Sequence, residues 1–373
     1  MVTDSAKNFS YVSIGQTVAT GFQACFYLIF AGLLDPEHYG QISYLIAIAG
    51  VFSTVSRFGL PYTVTIYAAK ENHILSNQAN VMAIIATTLA SIVLIPINIY
   101  AAILSFTLSS FALNQHNLLG FKKYKQYMWT AIIKSALLVA LPVLLYFMFE
   151  VPGILIGMAI SNFLGSLNFL KSLNTKIQSF RELRNNFKVL VNNFGVDMSL
   201  NLPAIVDKLL IVPLFGLLSV GIYQFNMQIL VGLGMLPMIL YSFLLPEEAS
   251  GKNYKKISYI TVAGSSLLAL LVIIFSPMVI KQFFPKFYDG IFSLQIMIVS
   301  LVPLSFSSIF NAKLQAQEST KIGYSAIVRI VSLLGFIAIF GKLYGLVGLS
   351  IAVLLSTILY MASLYVLFQR SKR

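Results

Sequence analysis

The chain has 373 residues, of which 58% are hydrophobic and only 10% charged, with a formal net charge of +13 and a mean hydropathy of +0.85. A soluble domain carries about 25% charged residues, and soluble packing has no room to hide this much apolar surface. Apolar blocks of about 20 residues recur from end to end, the length a membrane-spanning helix needs, so the chain is read as an all-α integral membrane protein.

The first block, 9–34, is too long for the apolar core of a signal peptide and lacks a small-x-small cleavage site, so it is expected to stay as a span. The single cysteine, Cys25, lies inside it. One cysteine excludes a disulfide within the chain and any thiol pair for metal or redox work. Further spans are expected at 39–62, 79–98, 99–119, 128–149, 152–173, 187–214, 219–245, 256–280, 290–314, 322–341 and 345–368. The cut near Pro96 and Asn98 leaves almost no loop. Without it the count is eleven and the termini fall on opposite sides.

Loop charge supports twelve. With the N-terminus inside, the cytoplasmic segments hold Lys70, Lys122, Lys123, Lys125, Lys176, Arg181, Arg184, Lys252 and Lys321 among others, whereas the external turns hold only Lys281, Lys286 and Lys342. Cytoplasmic loops favour Lys and Arg. The same rule explains the +13 without nucleic acid, and both termini are expected in the cytoplasm of a multi-pass plasma-membrane protein. The longest polar linker, "NTKIQSFRELRNN" at 174–186, separates a six-helix lobe at 1–175 from another at 187–373, with 176–186 as the cytoplasmic connection.

The two lobes read as parallel repeats. A shift of 195 lays "YMWTAIIKSALL" (127–138) over "IGYSAIVRIVSL" (322–333), matching Lys134 to Arg329, and "VPGILIGMAI" (151–160) over "LVGLSIAVLL" (346–355), matching Gly153 to Gly348. Parallel six-plus-six repeats around a central cavity are one transporter plan.

Charge inside the spans marks the candidate chemistry, because an ionised side chain near the bilayer centre costs about 2.5–3.5 kcal/mol on insertion scales. Lys134 and Arg329 lie about two turns, roughly 10 Å, inside the cytoplasmic end. Snorkelling to the interface is the plain explanation; a matched pair of cations facing a cleft is what a dianionic group requires. Arg57 and Lys313 sit near the inner ends of their spans, where snorkelling is again the competing account. Asp207 and Lys208 lie deep in the seventh span, and neighbours on a helix point about 100° apart, so they need not pair. Asp197, ten residues earlier, shares the Asp207 face. That stripe faces protein or water, either as ion pairs that fix packing or as a proton or sodium site. Pro203 and Pro213 flank Asp207 and would free carbonyls beside it. His38, His73 and His116 have no ligand spacing, and no phosphate loop or HExxH is present. No metal, cofactor or enzymatic activity is expected beyond a coupling ion.

"AGLLDPEHYGQISYLIAIAGVFSTVSRFGLP" (31–61) resembles the first external turn and second span of the polysaccharide transporter family, the O-antigen-type flippases of the multidrug/oligosaccharidyl-lipid/polysaccharide exporter superfamily. Asp207, Lys208, an apolar run and "VGIY" (220–223) resemble the family's seventh-to-eighth junction; "FFPKFYDGIFSLQIM" (283–297) and "NAKLQAQESTKIGYSAIV" (311–328) resemble its later turns. The resemblance implies two lobes that open alternately, and a polyprenyl-(pyro)phosphate-linked oligosaccharide as substrate. Related lipid flippases hold the diphosphate with cations on the first, second and eighth helices. Arg57 fits the second-helix position; the first and eighth helices here carry none, so Lys134, Lys208 and Arg329 are the expected substitutes. Asp197 and Asp207 are the expected ion-coupling residues. Membrane lipids and glycan assembly enzymes are the expected partners. A cation-coupled multidrug exporter of the same superfamily and a non-transporting scaffold for glycan assembly enzymes are the alternatives. A major-facilitator transporter is disfavoured, because "YAAKENHILSN" (67–77) lacks that family's loop motif.

Overall fold

A computed structural model describes residues 2–173, 179–202, 205–238, 255–316 and 322–371, and among them no strand occurs. Lys176, Pro203, Lys252 and Lys321 lie outside the described residues. In chain order the helices are α1 (Val2–Leu33), α2 (Pro36–Arg57), α3 (Leu60–Ala69), α4 (His73–Leu94), α5 (Ile99–Gly120), α6 (Tyr124–Ser172), α7 (Arg181–Asn185), α8 (Phe187–Asn201), α9 (Val206–Leu233), α10 (Lys255–Phe283), α11 (Ile291–Ile298), α12 (Leu301–Ala316) and α13 (Ile322–Ser371), with a 3-10 turn at Pro285–Gly290.

The break between α4 and α5 is real. Asn98 leaves the helical conformation, and its side chain accepts from the Ala101 amide at 2.9 Å, which satisfies a donor that the helix start would leave unpaired. Asn72 caps α4 in the same way through Leu75. At the α1–α2 turn, Asp35 takes the amides of Glu37 and His38 at 3.0 Å. Burial pushes its carboxyl up, but those amides and the His38 ring outweigh it and hold it below the usual carboxylate range.

Three long helices are hairpins. α6 turns at Glu150 (φ 53°, ψ −137°), α9 at Gly216 (φ 81°, ψ 174°) and α13 at Gly345 (φ 56°, ψ −132°). In α6, a Cβ on Gly153 would strike Leu145 O and one on Gly157 would strike Pro142, so the limbs run antiparallel and touch. In α13 the Gly348 Cβ would strike Phe340 O. With these hairpins opened, and α8 taken with the first limb of α9, the chain crosses about twelve times. Most crossings have the 20-odd residues that match a hydrocarbon core of about 30 Å. α5 is the most polar of them, and its Ser105, Ser109, Ser110, Asn114 and Asn117 are all buried.

The structure extends the repeat beyond the turn. Glu150 and Gly345 stand 195 apart, as do the carbonyls of Leu145 and Phe340 that crowd the matched glycines. Ser110 donates to Phe106 O and Ser305 to Leu301 O; Ser161 donates to Met158 O and Ser356 to Val353 O. Every member of these pairs is offset by the same 195.

Packing divides the chain into two compact units. The first is Met1–Phe26 with Tyr44–Val206; the second is Tyr27–Ser43 with Asp207–Arg373. In the first, α5 packs on α3, α4 and α6, and Leu60, Val64, Leu75, Leu113 and Phe169 form the core. Lipid supplies little drive for helix pairing, so polar bonds and small residues matter more there. Asn80 and Asn117 exchange amide bonds at 2.8 and 2.9 Å, and Ser53 meets Ser109 at 2.8 Å. In the second, α10 packs on α11 and α12, and α13 on both, around Tyr223, Met297, Leu301, Ile337 and Leu349. There Gly40 of α2 and Gly221 of α9 let two backbones approach, since a Cβ on either would strike the other helix.

Candidate functional site

In the first unit the chain breaks after Arg57. Phe58 (φ 46°) and Gly59 (φ 68°) turn left-handed before α3. A Cβ on Gly59 would collide with the backbone of Asn193 and Phe194, so only glycine lets α8 come this close. Phe58 stacks on Phe194 with ring centroids 4.5 Å apart, and Asn193 donates to Thr63 Oγ1 at 2.9 Å. This junction brings Asp197 to Arg57. The guanidinium is 3.7 Å from Asp197 Oδ1 and donates weakly to Thr54 Oγ1 at 3.4 Å. Asn201 also donates to Asp197 Oδ1, at 2.6 Å. Arg57 Nε and Asp197 Oδ2 are buried without a hydrogen-bond partner. The pair is therefore loose and half-satisfied. Tyr62 packs edge-on against His116 beside it, and His116 Nδ1 lies 2.9 Å from Thr65 Oγ1.

Lys134 lines a separate cavity of about 150 Å³ in the same unit, formed by α1, α5 and α6. Gln16, Gln23, Gln115, Tyr127 and Ser135 supply its polar groups. Gln16 donates to Tyr127 Oη at 3.3 Å. The Lys134 ammonium sits 5.0 Å above the Phe111 ring, and no described residue forms an ion pair with it. Gly165 leaves room for both Phe111 and the Lys134 stem.

In the second unit, Asp207 opens α9. Its Oδ1 accepts from the Lys208 amide at 2.8 Å and from Lys208 Nζ at 3.1 Å, and its Oδ2 accepts from Tyr223 Oη at 2.8 Å. Asp207 is wholly buried. Adjacent residues on a helix need not pair, yet Asp207 and Lys208 do. At the first turn of a helix the amides are free and the dipole favours an anion, so the Asp207 side chain folds back over the helix start and meets its neighbour. Arg329 stacks on Tyr360, 5.3 Å from the ring. Among the described residues Arg329 has no carboxylate partner.

The six sequence candidates thus sort into three kinds. Arg57 and Asp197 form a loose buried pair, Asp207 and Lys208 a tight one closed by Tyr223, and Lys134 and Arg329 rest on aromatic faces with no acid among the described residues. Lys313, the snorkelling candidate, lies 5.6 Å from the Phe368 ring. Sequence reasoning missed the glutamines around Lys134. Gln16 and Gln23 are seven apart on an apolar span and so share a face, which was the available signal. Tyr223 gave no such signal, because a tyrosine in an apolar run is ordinary. No group of described His, Cys, Asp or Glu could hold a metal ion.

Known proteins share this architecture. The chain is 23% identical to an uncharacterized membrane protein of Methanocaldococcus jannaschii, over 94% of this chain and 95% of that one. Its fold is similar to that of a lipid II flippase solved in an inward closed conformation, with a TM-score of 0.79, 15% identity, and 96% of this chain and 87% of that one covered. It is also similar to an inward-facing multidrug resistance transporter of the MATE family within the MOP superfamily, with a TM-score of 0.68, 15% identity and 98% of both chains covered. Residues 5–246 match the family described as polysaccharide biosynthesis protein, and this all-helical, multi-pass membrane protein belongs to that family.

Proposed function

We propose that the protein is an alternating-access flippase that carries a polyprenyl-(pyro)phosphate-linked oligosaccharide from the cytoplasmic to the outer leaflet. The carrying observation is that Lys134 and Arg329, at matched repeat positions, have no carboxylate partner among the described residues and rest on aromatic rings. Both are half-buried; a cation partly withdrawn from water and left without an acid is costly, and a diphosphate brings the missing charge. Lys134 adds a polar lining suited to sugar hydroxyls, from Gln16, Gln23 and Gln115. Arg57 and Lys208 come second in the binding set, because each already has an acid that the head group would have to displace.

The coupling ion, a proton or sodium, is assigned to Asp197 ahead of Asp207. Asp197 keeps one buried oxygen without a partner; Asp207 has both engaged and serves packing. The transport lobes are taken as 1–175 and 187–373, joined by 176–186, with both termini in the cytoplasm of a cell membrane. Glycan assembly enzymes would supply the substrate inside and consume it outside.

Proteoliposomes decide between this reading and drug export. The protein is expected to move a labelled polyprenyl-diphosphate oligosaccharide and to leave a cationic drug unmoved. Drug flux without lipid flux would overturn the reading.

A further inference from the structure

The two copies of the repeat hold their matched cations differently. In the first unit Lys134 lies 5.0 Å from the Phe111 ring. Gly165 beside it must stay bare, since a Cβ there would strike Phe111 and crowd the Lys134 stem. In the second unit Tyr360 stands at the shifted position of Gly165, and its ring carries the Arg329 guanidinium at 5.3 Å. The Tyr360 hydroxyl accepts from Asn311 Nδ2 at 2.7 Å, which ties the second limb of α13 to α12. Ser325 lies one turn before Arg329 on the same helix face and stands for Thr130. The Thr130 hydroxyl is engaged by the carbonyls of Gln126 and Tyr127. Ser325 is 1% exposed, and its hydroxyl has no hydrogen-bond partner among the described residues.

We propose that Arg329 and Ser325 form a phosphate subsite in the second unit, with Tyr360 and Asn311 as its positioning residues. The proposal rests on the flippase reading and says how one part of the substrate is read. A guanidinium is a planar fork that meets a phosphate through two parallel hydrogen bonds, whereas an ammonium is a point charge. A long side chain loses rotamer freedom when it is fixed on a ligand, and a platform that sets its plane beforehand lowers that cost. Tyr360 is such a platform, because a cation over a ring face keeps its N–H edge for an anion, and the Asn311 bond holds the ring still. Ser325 supplies the independent sign of a ligand. A buried hydroxyl without a partner is unfavourable in the folded protein, and a phosphate oxygen one turn from Arg329 would accept its proton. The first copy has none of these features: its cation is a lysine, its counterpart of Tyr360 is a glycine, and its counterpart of Ser325 is already bonded.

Binding of a labelled long-chain polyprenyl diphosphate to purified full-length protein in detergent tests the subsite. Arg329→Lys keeps the charge and loses the fork, so it is expected to bind about tenfold more weakly. Tyr360→Leu should lose as much, and should add nothing in the Arg329→Lys background, because it acts only through the fork. If Tyr360→Leu does not fold, Tyr360→Phe and Asn311→Leu each free the ring from its tether; each should weaken binding about threefold, and together no further. Ser325→Ala should raise the unfolding temperature while weakening binding, two opposite signs that a purely structural serine would not give. Full affinity in both Arg329→Lys and Ser325→Ala would overturn the proposal. An equal loss from Tyr360→Leu in both backgrounds would do the same, as would equally tight binding of phosphatidylglycerol, which would mark a general site for anionic lipids. Fork-dependent binding without flux in vesicles would uphold the subsite and count against the flippase reading alone.

Discussion

At the scale of single residues, the two buried carboxylates sit in different environments, and the proposal gives them different work. Asp207 holds Lys208 and Tyr223 at 3.1 and 2.8 Å. Breaking a buried pair by removing one partner costs about 3–5 kcal/mol, so Asp207→Ala is expected to lower the unfolding temperature in detergent sharply. Tyr223→Phe removes one charged hydrogen bond and is expected to cost about 1–3 kcal/mol. Asp197 has a single long contact to Arg57 and an oxygen without a partner. Asp197→Asn keeps the shape and the Asn201 contact, so it should cost less stability than Asp207→Ala while abolishing the dependence of flux on an ion gradient. Equal thermal losses in the two variants would refute this division of roles. The sequence pointed to all four charged residues, because charge in an apolar span is conspicuous. It did not show that Arg57 meets Asp197, since their encounter depends on the close approach at Gly59, and no local pattern links residues 140 positions apart.

At the scale of elements, the hairpin turns carry a testable strain. Glu150 and Gly345 adopt nearly the same left-handed backbone, which suits glycine and costs other residues about 1–3 kcal/mol. Glu150→Gly is therefore expected to stabilise the protein by about 1 kcal/mol, read as a rise in unfolding temperature, and Gly345→Ala to lower it. Gly348→Ala should be worse, since its Cβ would strike Phe340 O across the hairpin. A neutral Gly348→Ala would mean that the limbs are not held in contact. Apolar length and turn residues revealed most spans, down to the brief break that Asn98 caps. The splits of the second span at Phe58–Gly59 and of the tenth near Val299–Ser300 escaped notice: Arg57, Gly59 and Pro61 marked the first, whereas apolar residues continue on both sides of the second.

At the scale of the whole molecule, topology and charge go together. Among the helix connections, 70–72, 121–123 and 173–186 carry Lys and Arg, and they alternate with the acid- or proline-bearing turns at 34–35, 95–98 and 150. Single cysteines introduced into a Cys25→Ser background should react with an impermeant thiol reagent from outside at position 97 and only after permeabilisation at position 122. The reverse pattern would invert the orientation. The repeat is what sequence alone conveyed best, since a fixed shift survives wherever two copies keep the same backbone. The lining of the Lys134 cavity was less visible, because three helices distant in sequence contribute to it.

The most direct measurement is lipid flux in vesicles by the Lys134→Ala, Arg329→Ala double variant, alongside a Lys313→Met control, with all three proteins matched for folded fraction. The account predicts that the double variant loses at least 90% of the flux (about 1.4 kcal/mol per tenfold), while the control keeps most of it. Undiminished flux from a folded double variant would contradict the claim that these two cations carry the anionic head group across.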